Sequence, residues 1–347
     1  MGLNDTQMTA FQIMDHQPPH TLTPAIVSLV AEIAEAVGRL SLSSGDNLRL
    51  LWVNRIRSIQ GSLAIEGNTL SEEQITAILE GKPVIAPPRE IQEVRNALAA
   101  YERLGEWQPA GESDLLEAHA ILMRGLLDEA GLYRRGGVGV MQGEQVIHMA
   151  PPAERVPGLM ADLLGWLKTN EEHPLIAGSI FHYEFEFIHP FADGNGRLGR
   201  LWQTLILSCW RPVLADLPVE SLVHTHQEGY YRAIAESTAR TDSAPFIAFM
   251  LERILEACRA STHQETPEVA PQVQRLVSLL ERPLGRNDLM RTLGLRDAKH
   301  FRQHYLVPAM AAGLVEMTQP DHPRSPTQQY RRTAAGQRLL DNSKDTI

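Results

Sequence analysis

Through most of the chain apolar residues recur every three to four positions, with polar residues between them. In LTPAIVSLVAEIAEAVGRL the stripe is Ile26, Val30, Ile33, Val37 and Leu40, which predicts an amphipathic helix. Thr23 stands where an N-cap belongs, and Pro24 suits the first turn. In PPREIQEVRNALAAYERL the stripe is Ile91, Val94, Leu98, Tyr101 and Leu104. The same period runs through SDLLEAHAILMRGLLD, ERVPGLMADLLGWLKTN, LIAGSIFHYEFEFI and PFIAFMLERILEAC, and each stripe is first of all a core face. One stretch breaks the pattern. GGVGVMQGEQVIHMAPP holds two short apolar runs, 138–141 and 146–149, around QGEQ, and Pro151 and Pro152 end it. That predicts a small β-hairpin. A lone hairpin in a helical protein has a spare edge, which is either covered or used for strand addition.

Residues 261–271, STHQETPEVAP, are polar and carry two prolines, as a linker does. Beyond them come a helix over 272–281, then RNDLMRTLGL and RDAKHFRQHYLVPAMAAGLVEM, then a Pro-rich polar loop between strand-like ends. Three helices followed by such a loop predict a winged helix-turn-helix.

The 347 residues are 43% apolar and 21% charged, an ordinary globular balance. No apolar run approaches the length of a membrane-spanning helix, and the opening MGLNDTQMTAFQIMDHQPPH lacks the basic and apolar regions of a secretory signal. Cys209 and Cys258 form neither a metal-ligand spacing nor a disulfide framework, so free thiols in a cytoplasmic protein are expected. The net charge is -10, but residues 272–338 carry 11 Arg or Lys against 5 Asp or Glu. The acidic main body is therefore a poor general nucleic-acid binder, and any DNA contact falls to the C-terminal segment.

The chemistry is concentrated in residues 189–200, HPFADGNGRLGR. A Gly-Asn-Gly run is a turn before it is anything else. Here a helix, RLGRLWQTLILSCW, follows it, so the turn sits at a helix N-terminus, where backbone N–H groups favour phosphate. Arg197 and Arg200 lie one turn apart and reach the same anion. Asp193 places a carboxylate just before the turn, where Mg²⁺ bridges protein and phosphates. His189 brings an imidazole, the side-chain type whose ordinary range lies nearest neutral pH, and suits a base. An anion cradle, a metal ligand, two cations and a base fit phosphoryl or nucleotidyl transfer. No Gly-Lys-Ser/Thr follows, so this is not a P-loop.

The twelve residues resemble the signature of the Fic family, H-x-F-x-D/E-G-N-G-R-x-x-R, with every fixed position filled. The resemblance extends to HYEFEFIHPF, to AGLYRRGGVGV with the hairpin, and to YYRAI, over roughly residues 20–255. It implies a mainly α-helical Fic bundle with a hairpin flap, and an enzyme that moves AMP from ATP to a hydroxyl side chain of a target protein. On the matching positions, His189 is then the base, Phe191 an apolar anchor and Asp193 the Mg²⁺ ligand. Gly194, Asn195 and Gly196 hold the α- and β-phosphates, Arg197 the β-phosphate and Arg200 the γ-phosphate. Leu198 and Gly199 complete the nucleotide-binding run. Tyr230 or Tyr231 lies along the adenosine, the alternative being plain packing. The hairpin at 138–149 resembles the flap that aligns a target segment.

A second motif is SLAIEGN, residues 62–68. Ser62 and Glu66 are four apart and share a helix face, and Gly67 can end that helix in a left-handed conformation. A glutamate there is ordinarily solvated. The family's inhibitory pattern, S/T-x-x-x-E-G/N, matches through Ser62, Glu66 and Gly67. The resemblance implies that Glu66 pairs with Arg200, fills the γ-phosphate site and misplaces ATP.

The expected organisation is a flexible 1–20, a helical region 21–110 with the inhibitory helix, a Fic core 111–260, the linker and a winged helix-turn-helix over 272–340. Two rivals stand beside a cytoplasmic protein adenylyltransferase. One is a regulator that binds DNA through the basic turn 296–304 and uses its Fic core to sense a ligand or modify itself. The other is a Fic enzyme with a different nucleotide donor, or one that removes AMP. Self-modification and homo-oligomers stay open at this point; a membrane partner does not.

Overall fold

The computed structural model describes residues 17–43, 48–137, 139–142, 145–264, 271–295, 297–319, 325 and 327–342. The chain divides into two compact units, 1–262 and 263–347. The first holds helices α1 (Pro24–Ser43), α2 (Leu48–Ile65), α3 (Glu72–Leu79), α4 (Pro88–Glu102) and α5 (Glu112–Leu122). Strands β1 (Gly139–Gln142) and β2 (Gln145–Met149) come next. Helices α6 (Val156–Thr169), α7 (Pro174–Ile188), α8 (Asn195–Trp210), α9 (Val219–Thr225), α10 (Gln227–Arg240) and α11 (Ala244–Gln264) complete the unit. It is the helical bundle with one small hairpin that the periodicity calls for.

Local chemistry starts the helices where the sequence says. Thr23 caps α1, its Oγ1 accepting from the Ile26 amide at 3.3 Å, and Ile26, Ile33, Val37 and Leu40 are buried while Val30 is only partly so. Ser71 and Gln74 cap α3 reciprocally, a pairing whose loss costs about 1 kcal/mol. Helix α7 is apolar nearly all round, with Leu175, Ile176, Ile180, Phe181 and Phe185 all buried, so it runs through the core and packs on α8. Helices α2 and α9 approach so closely that a Cβ on Gly61 would meet Ser221 backbone at 2.5 Å. Any side chain there would force the two helices apart.

The hairpin pairs antiparallel, Gly139 with Met149 and Gln142 with Gln145, with a bulge between Val140 and Met141. Val138 and the turn residues 143 and 144 lie outside the described residues. No described helix is long and apolar enough to cross a membrane.

Two sequence expectations change. Residues 17–20 are not loose: the Ser243 amide donates to the Pro19 carbonyl at 3.0 Å, and His20 Nε2 meets Glu172 Oε1 at 3.2 Å. Residues 1–16 of that expected flexible segment are outside the described ones. The linker starts later than its composition predicts, because 261–264 form the last turn of α11. STHQ contains no helix breaker, and Ser261 is buried. Residues 265–270 lie outside the described ones.

In the second unit α12 (Pro271–Leu279), β3 (Leu284–Gly285), α13 (Arg286–Leu293), α14 (Ala298–Phe301), a π-helical turn (Arg302–Leu306), α15 (Val307–Ala311), β4 (Val315–Met317), β5 (Gln329–Arg332) and α16 (Ala334–Asn342) follow one another. The strands form an antiparallel sheet in the order β3-β5-β4. Leu276, Val277, Leu289, Phe301 and Val315 make its own core.

Candidate active site

The loop 189–194 joins α7 to α8, and three buried side chains give it its shape. His189 ends α7 in the left-handed conformation, φ 51 and ψ 62. A non-glycine residue there is held by its surroundings. Arg134 does the holding. Its Nε donates to the His189 carbonyl at 2.7 Å and its Nη2 to the Ile188 carbonyl at 3.3 Å. The same guanidinium donates to the carbonyls of Gly136 (2.8 Å) and Pro151 (2.5 Å), the two ends of the hairpin stem. Arginine placed on the last carbonyls of a helix satisfies acceptors that the helix leaves open.

Phe191 is fully buried, as an anchor should be, and stacks on His119 with ring centroids 3.7 Å apart. His119 Nδ1 accepts from the Gly131 amide at 2.8 Å, which puts the ring proton on Nε2, and Nε2 donates to the Asp193 carbonyl at 2.9 Å. Burial pushes the His119 pKa down to about 4, against the pull of Asp193. Asn195 closes the loop: its Oδ1 accepts from the Phe191 amide and its Nδ2 donates to the Phe191 carbonyl, both at 2.9 Å. Its side chain is therefore spent on the loop, and only its backbone is free for an anion.

Gly194 takes φ +85, and a Cβ there would lie 2.6 Å from Met123 Sδ, so glycine is required on two counts. It places the first-turn amides of Asn195, Gly196 and Arg197, which have no partner within the helix, at the mouth of the site. Gly196 lets Glu66 come close: a Cβ there would stand 2.4 Å from Glu66 Oε1. The Leu198 side chain is fully buried, and Gly199 lies against His182, Phe185 and Glu186, so neither offers a side chain to a nucleotide.

The cations are already occupied. Arg200, 3% exposed, donates from Nε to Ser62 Oγ (3.1 Å) and from Nη2 to the Ser62 carbonyl (3.0 Å) and Glu66 Oε1 (2.7 Å). Burial opposes its charge, but Glu66, then Tyr230 and Glu186, hold its pKa above the usual arginine value. Glu66 is at the end of α2, where Gly67 takes φ +91. The Asn68 amide donates to the Leu63 carbonyl and the Gly67 amide to the Ala64 carbonyl, a Schellman closure. That closure aims Glu66 at α8.

Asp193 is bracketed too. Its Oδ1 accepts from the Gly194 amide (2.6 Å) and Arg197 Nη2 (2.9 Å), and its Oδ2 from Arg89 Nη2 (3.1 Å). Glu93, buried on α4, lies 3.3 Å from Arg197 Nη1 and accepts from Asn68 Nδ2 at 2.9 Å. The segment after α2 is thus tied to Arg197 as well as to Arg200. No group of three metal-ligating side chains stands together among the described residues. One carboxylate, 40% exposed and beside a phosphate cradle, is still a donor set that Mg²⁺ accepts when it arrives with phosphates.

The tyrosine pair resolves into two environments. Tyr230 is in the core, its hydroxyl 3.1 Å from His182 Nε2, so it is not free to lie along a nucleotide. Tyr231 is only partly buried, and the charges of Glu66 and Arg200 act on its hydroxyl. In the second unit Lys299, His300, Arg302 and His304 are all exposed, while Arg296 lies outside the described residues.

Comparison with known proteins decides the family. The Fic/DOC family model matches residues 109–207, and that for the C-terminal domain of filamentation induced by cAMP protein Fic-like matches 271–333. A crystal structure of a Fic family protein from Desulfovibrio desulfuricans G20 is 57% identical, covers 92% of this chain and 99% of its own, and superposes with a TM-score of 0.71. The chain belongs to the Fic family. Residues 134–508 of Fic-1 from C. elegans are 25% identical over 70% of this Fic chain and 73% of their own, with a TM-score of 0.52. Protein adenylyltransferase Fic of Nematostella vectensis is 30% identical over 61% of this chain, and protein adenylyltransferase fic-1 of Caenorhabditis briggsae is 36% identical over 54%. The Fic chain spans 52% and 38% of the length of those two relatives.

Several residues of this Fic site escape sequence reasoning. Arg89, His119 and Arg134 contact the loop, Glu186 lies 3.9 Å from His189, and Glu93 pairs with Arg197. Arg134 lies in the AGLYRRGGVGV stretch and Glu186 in HYEFEFIHPF, and those two stretches were the available signals.

Proposed function

We propose that this Fic protein is a protein adenylyltransferase that transfers AMP from ATP to a hydroxyl side chain of a target protein and is restrained by its own Glu66. The observation that carries this is the 2.7 Å ion pair between Glu66 and Arg200 at the mouth of the α8 amide cradle. A buried arginine beside an anion-binding helix terminus serves a phosphate, and a carboxylate from another helix now takes its place. The α- and β-phosphates rest on the turn that Gly194 opens, against the amides of Asn195, Gly196 and Arg197, and the Arg197 and Arg200 side chains take the β- and γ-phosphates. His189 accepts the hydroxyl proton, and Tyr231 borders the adenosine. Asp193, now paired with Arg89, would hold the Mg²⁺ that comes with ATP, and the ion would offset charge on the phosphates. The hairpin edge aligns the target segment by strand addition. A cytoplasmic setting, where ATP is abundant, suits this reading.

The deciding experiment gives the protein α-labelled and γ-labelled ATP in parallel. Retention of the α label alone is the expected result. Retention of the γ label alone means phosphoryl transfer and overturns the reading.

A second reading concerns the C-terminal unit, taken as a winged helix. Its exposed Lys299, His300, Arg302 and His304 lie on consecutive helical turns, the layout of a recognition helix whose basic end meets DNA.

A further inference from the structure

His189 and Glu186 each leave a polar atom without a partner inside the protein. His189 Nδ1 and Glu186 Oε1 are both buried and accept or donate no hydrogen bond. Buried polar atoms are nearly always bonded, so two orphans in one site call for an explanation. The second carboxylate oxygen, Oε2, lies 3.9 Å from His189 Nδ1. A shift of about 1 Å would bring the pair to hydrogen-bond distance.

We infer that Glu186 is a positioning residue that keeps the His189 proton on Nδ1, so that Nε2 is bare and free to take the proton of the target hydroxyl. The inference rests on the transfer reading above. Carboxylates orient catalytic imidazoles in this way on unrelated folds, and the orientation fixes both tautomer and ring plane.

The surroundings of Glu186 suit the role. It is 8% exposed, on the last turn of α7. The titratable and charged groups facing it are His182 and His189 from its own helix and its end, Arg200 on α8, and Tyr230 and Tyr231 on α10; Glu66 on α2 acts beyond Arg200. Burial pushes the carboxyl pKa up, and the charge of Arg200 on the next helix opposes that and favours the ionised carboxylate. Gly199 makes the room, since a Cβ there would stand 3.2 Å from Glu186 Oε1.

A relay fixes the far side. Gln203 Nε2 donates to Ser179 Oγ at 3.3 Å, so Gln203 Oε1 is the acceptor for His182 Nδ1 at 2.7 Å. His182 Nε2 is then an acceptor for the Tyr230 hydroxyl and does not claim Glu186, which it meets at 3.8 Å. The carboxylate is left for His189.

In the transfer, the target oxygen bonds to the α-phosphorus. The bond from that phosphorus to the bridging oxygen of the β-phosphate breaks, and pyrophosphate leaves with the electron pair. The hydroxyl proton goes to Nε2, and the carboxylate stabilises the imidazolium through Nδ1–H.

Ring-labelled histidine in the full chain tests this by nitrogen NMR, with His189→Ala assigning the signal. The wild-type ring should carry its proton on Nδ1. Glu186→Ala should shift it toward Nε2–H, while Glu186→Gln should keep an acceptor but lower the ring pKa by about one unit through loss of the charge. In a Glu66→Gly background, Glu186→Gln should lower incorporation of α-labelled AMP about 10- to 100-fold, with ATP binding intact and the rate–pH limb moved down with the ring pKa. A wild-type ring with its proton on Nε2, or a tautomer and pKa unmoved in both variants, overturns the role. If one variant fails to fold, the wild-type spectrum still decides. If Glu66→Gly incorporates no AMP at all, the transfer reading fails, and the ring spectrum still judges Glu186.

Discussion

Arg200 Nη2 donates to Glu66 Oε1 at 2.7 Å, and the two residues come from helices 134 positions apart in the chain. A charge-assisted bond of this kind contributes about 1.5–3 kcal/mol, and on the proposed reading that is what keeps Arg200 from a nucleotide. Glu66→Gly should therefore raise self-incorporation of α-labelled AMP by about tenfold or more, the factor that 1.36 kcal/mol of barrier supplies. Arg200→Ala should give no gain, and in the double variant the Glu66 gain should vanish. Incorporation by Glu66→Gly no higher than by wild type would leave Glu66 an ordinary helix-end carboxylate.

His189→Ala should lower AMP transfer about 10²- to 10⁴-fold, with ATP binding retained. The imidazole sits on a backbone held by Arg134, so the comparison needs a melting curve beside the rate. Transfer near the wild-type level in a folded variant rules out His189 as base.

Arg89 is 59% exposed and paired with Asp193. Exposed pairs are worth about 0.2–1 kcal/mol. Arg89→Ala in the Glu66→Gly background should then lower the Mg²⁺ concentration for half-maximal incorporation about two- to fivefold. A titration with no shift would mean that Arg89 leaves Asp193 without cost.

His119 gives a pH dependence to stability. Its folded pKa is lowered to about 4 by burial, against about 6.5 in an unfolded chain. The neutral ring favours the folded state above pH 6.5, and that contribution is lost as pH falls from 6.5 toward 4, by up to about 3 kcal/mol. Denaturation of wild type and His119→Gln across this range should show the stability difference shrinking toward acid. A difference constant with pH would contradict the buried neutral ring.

If the exposed basic turn meets phosphates, binding to duplex DNA should fall steeply with salt. Lys299→Ala with Arg302→Ala should weaken it and leave AMP transfer unchanged. No DNA retention at low salt would sink the second reading.

The helices were legible because a buried face repeats every three to four residues, as in Ile26 to Leu40. The site was legible where its groups are contiguous, in 189–200, or share one helix face, as Ser62 and Glu66 do. Three-dimensional partners were not. Glu93 on α4 and His119 on α5 look like any residue of an amphipathic helix until the fold sets them against Arg197 and Phe191. Asn195 holds a role that the motif does not display: its side-chain amide is consumed by the Phe191 backbone, which leaves its main-chain N–H for an anion. Tyr230 and Tyr231 are indistinguishable in sequence, and only the packing of α10 sends one inward.

Glu66 stands at the carboxyl end of α2, the end where the aligned peptide dipoles already leave negative charge. Its carboxylate is thus on the wrong end of its helix, and Arg200 is what balances both. An anion that draws the Arg200 guanidinium toward the amino end of its own helix strips that balance away, and the bare end of α2 then repels the same anion. Sharing the cation is penalised from both sides. If ATP takes Arg200, the pairing then works as a toggle with two settled positions rather than a spring that yields by degrees.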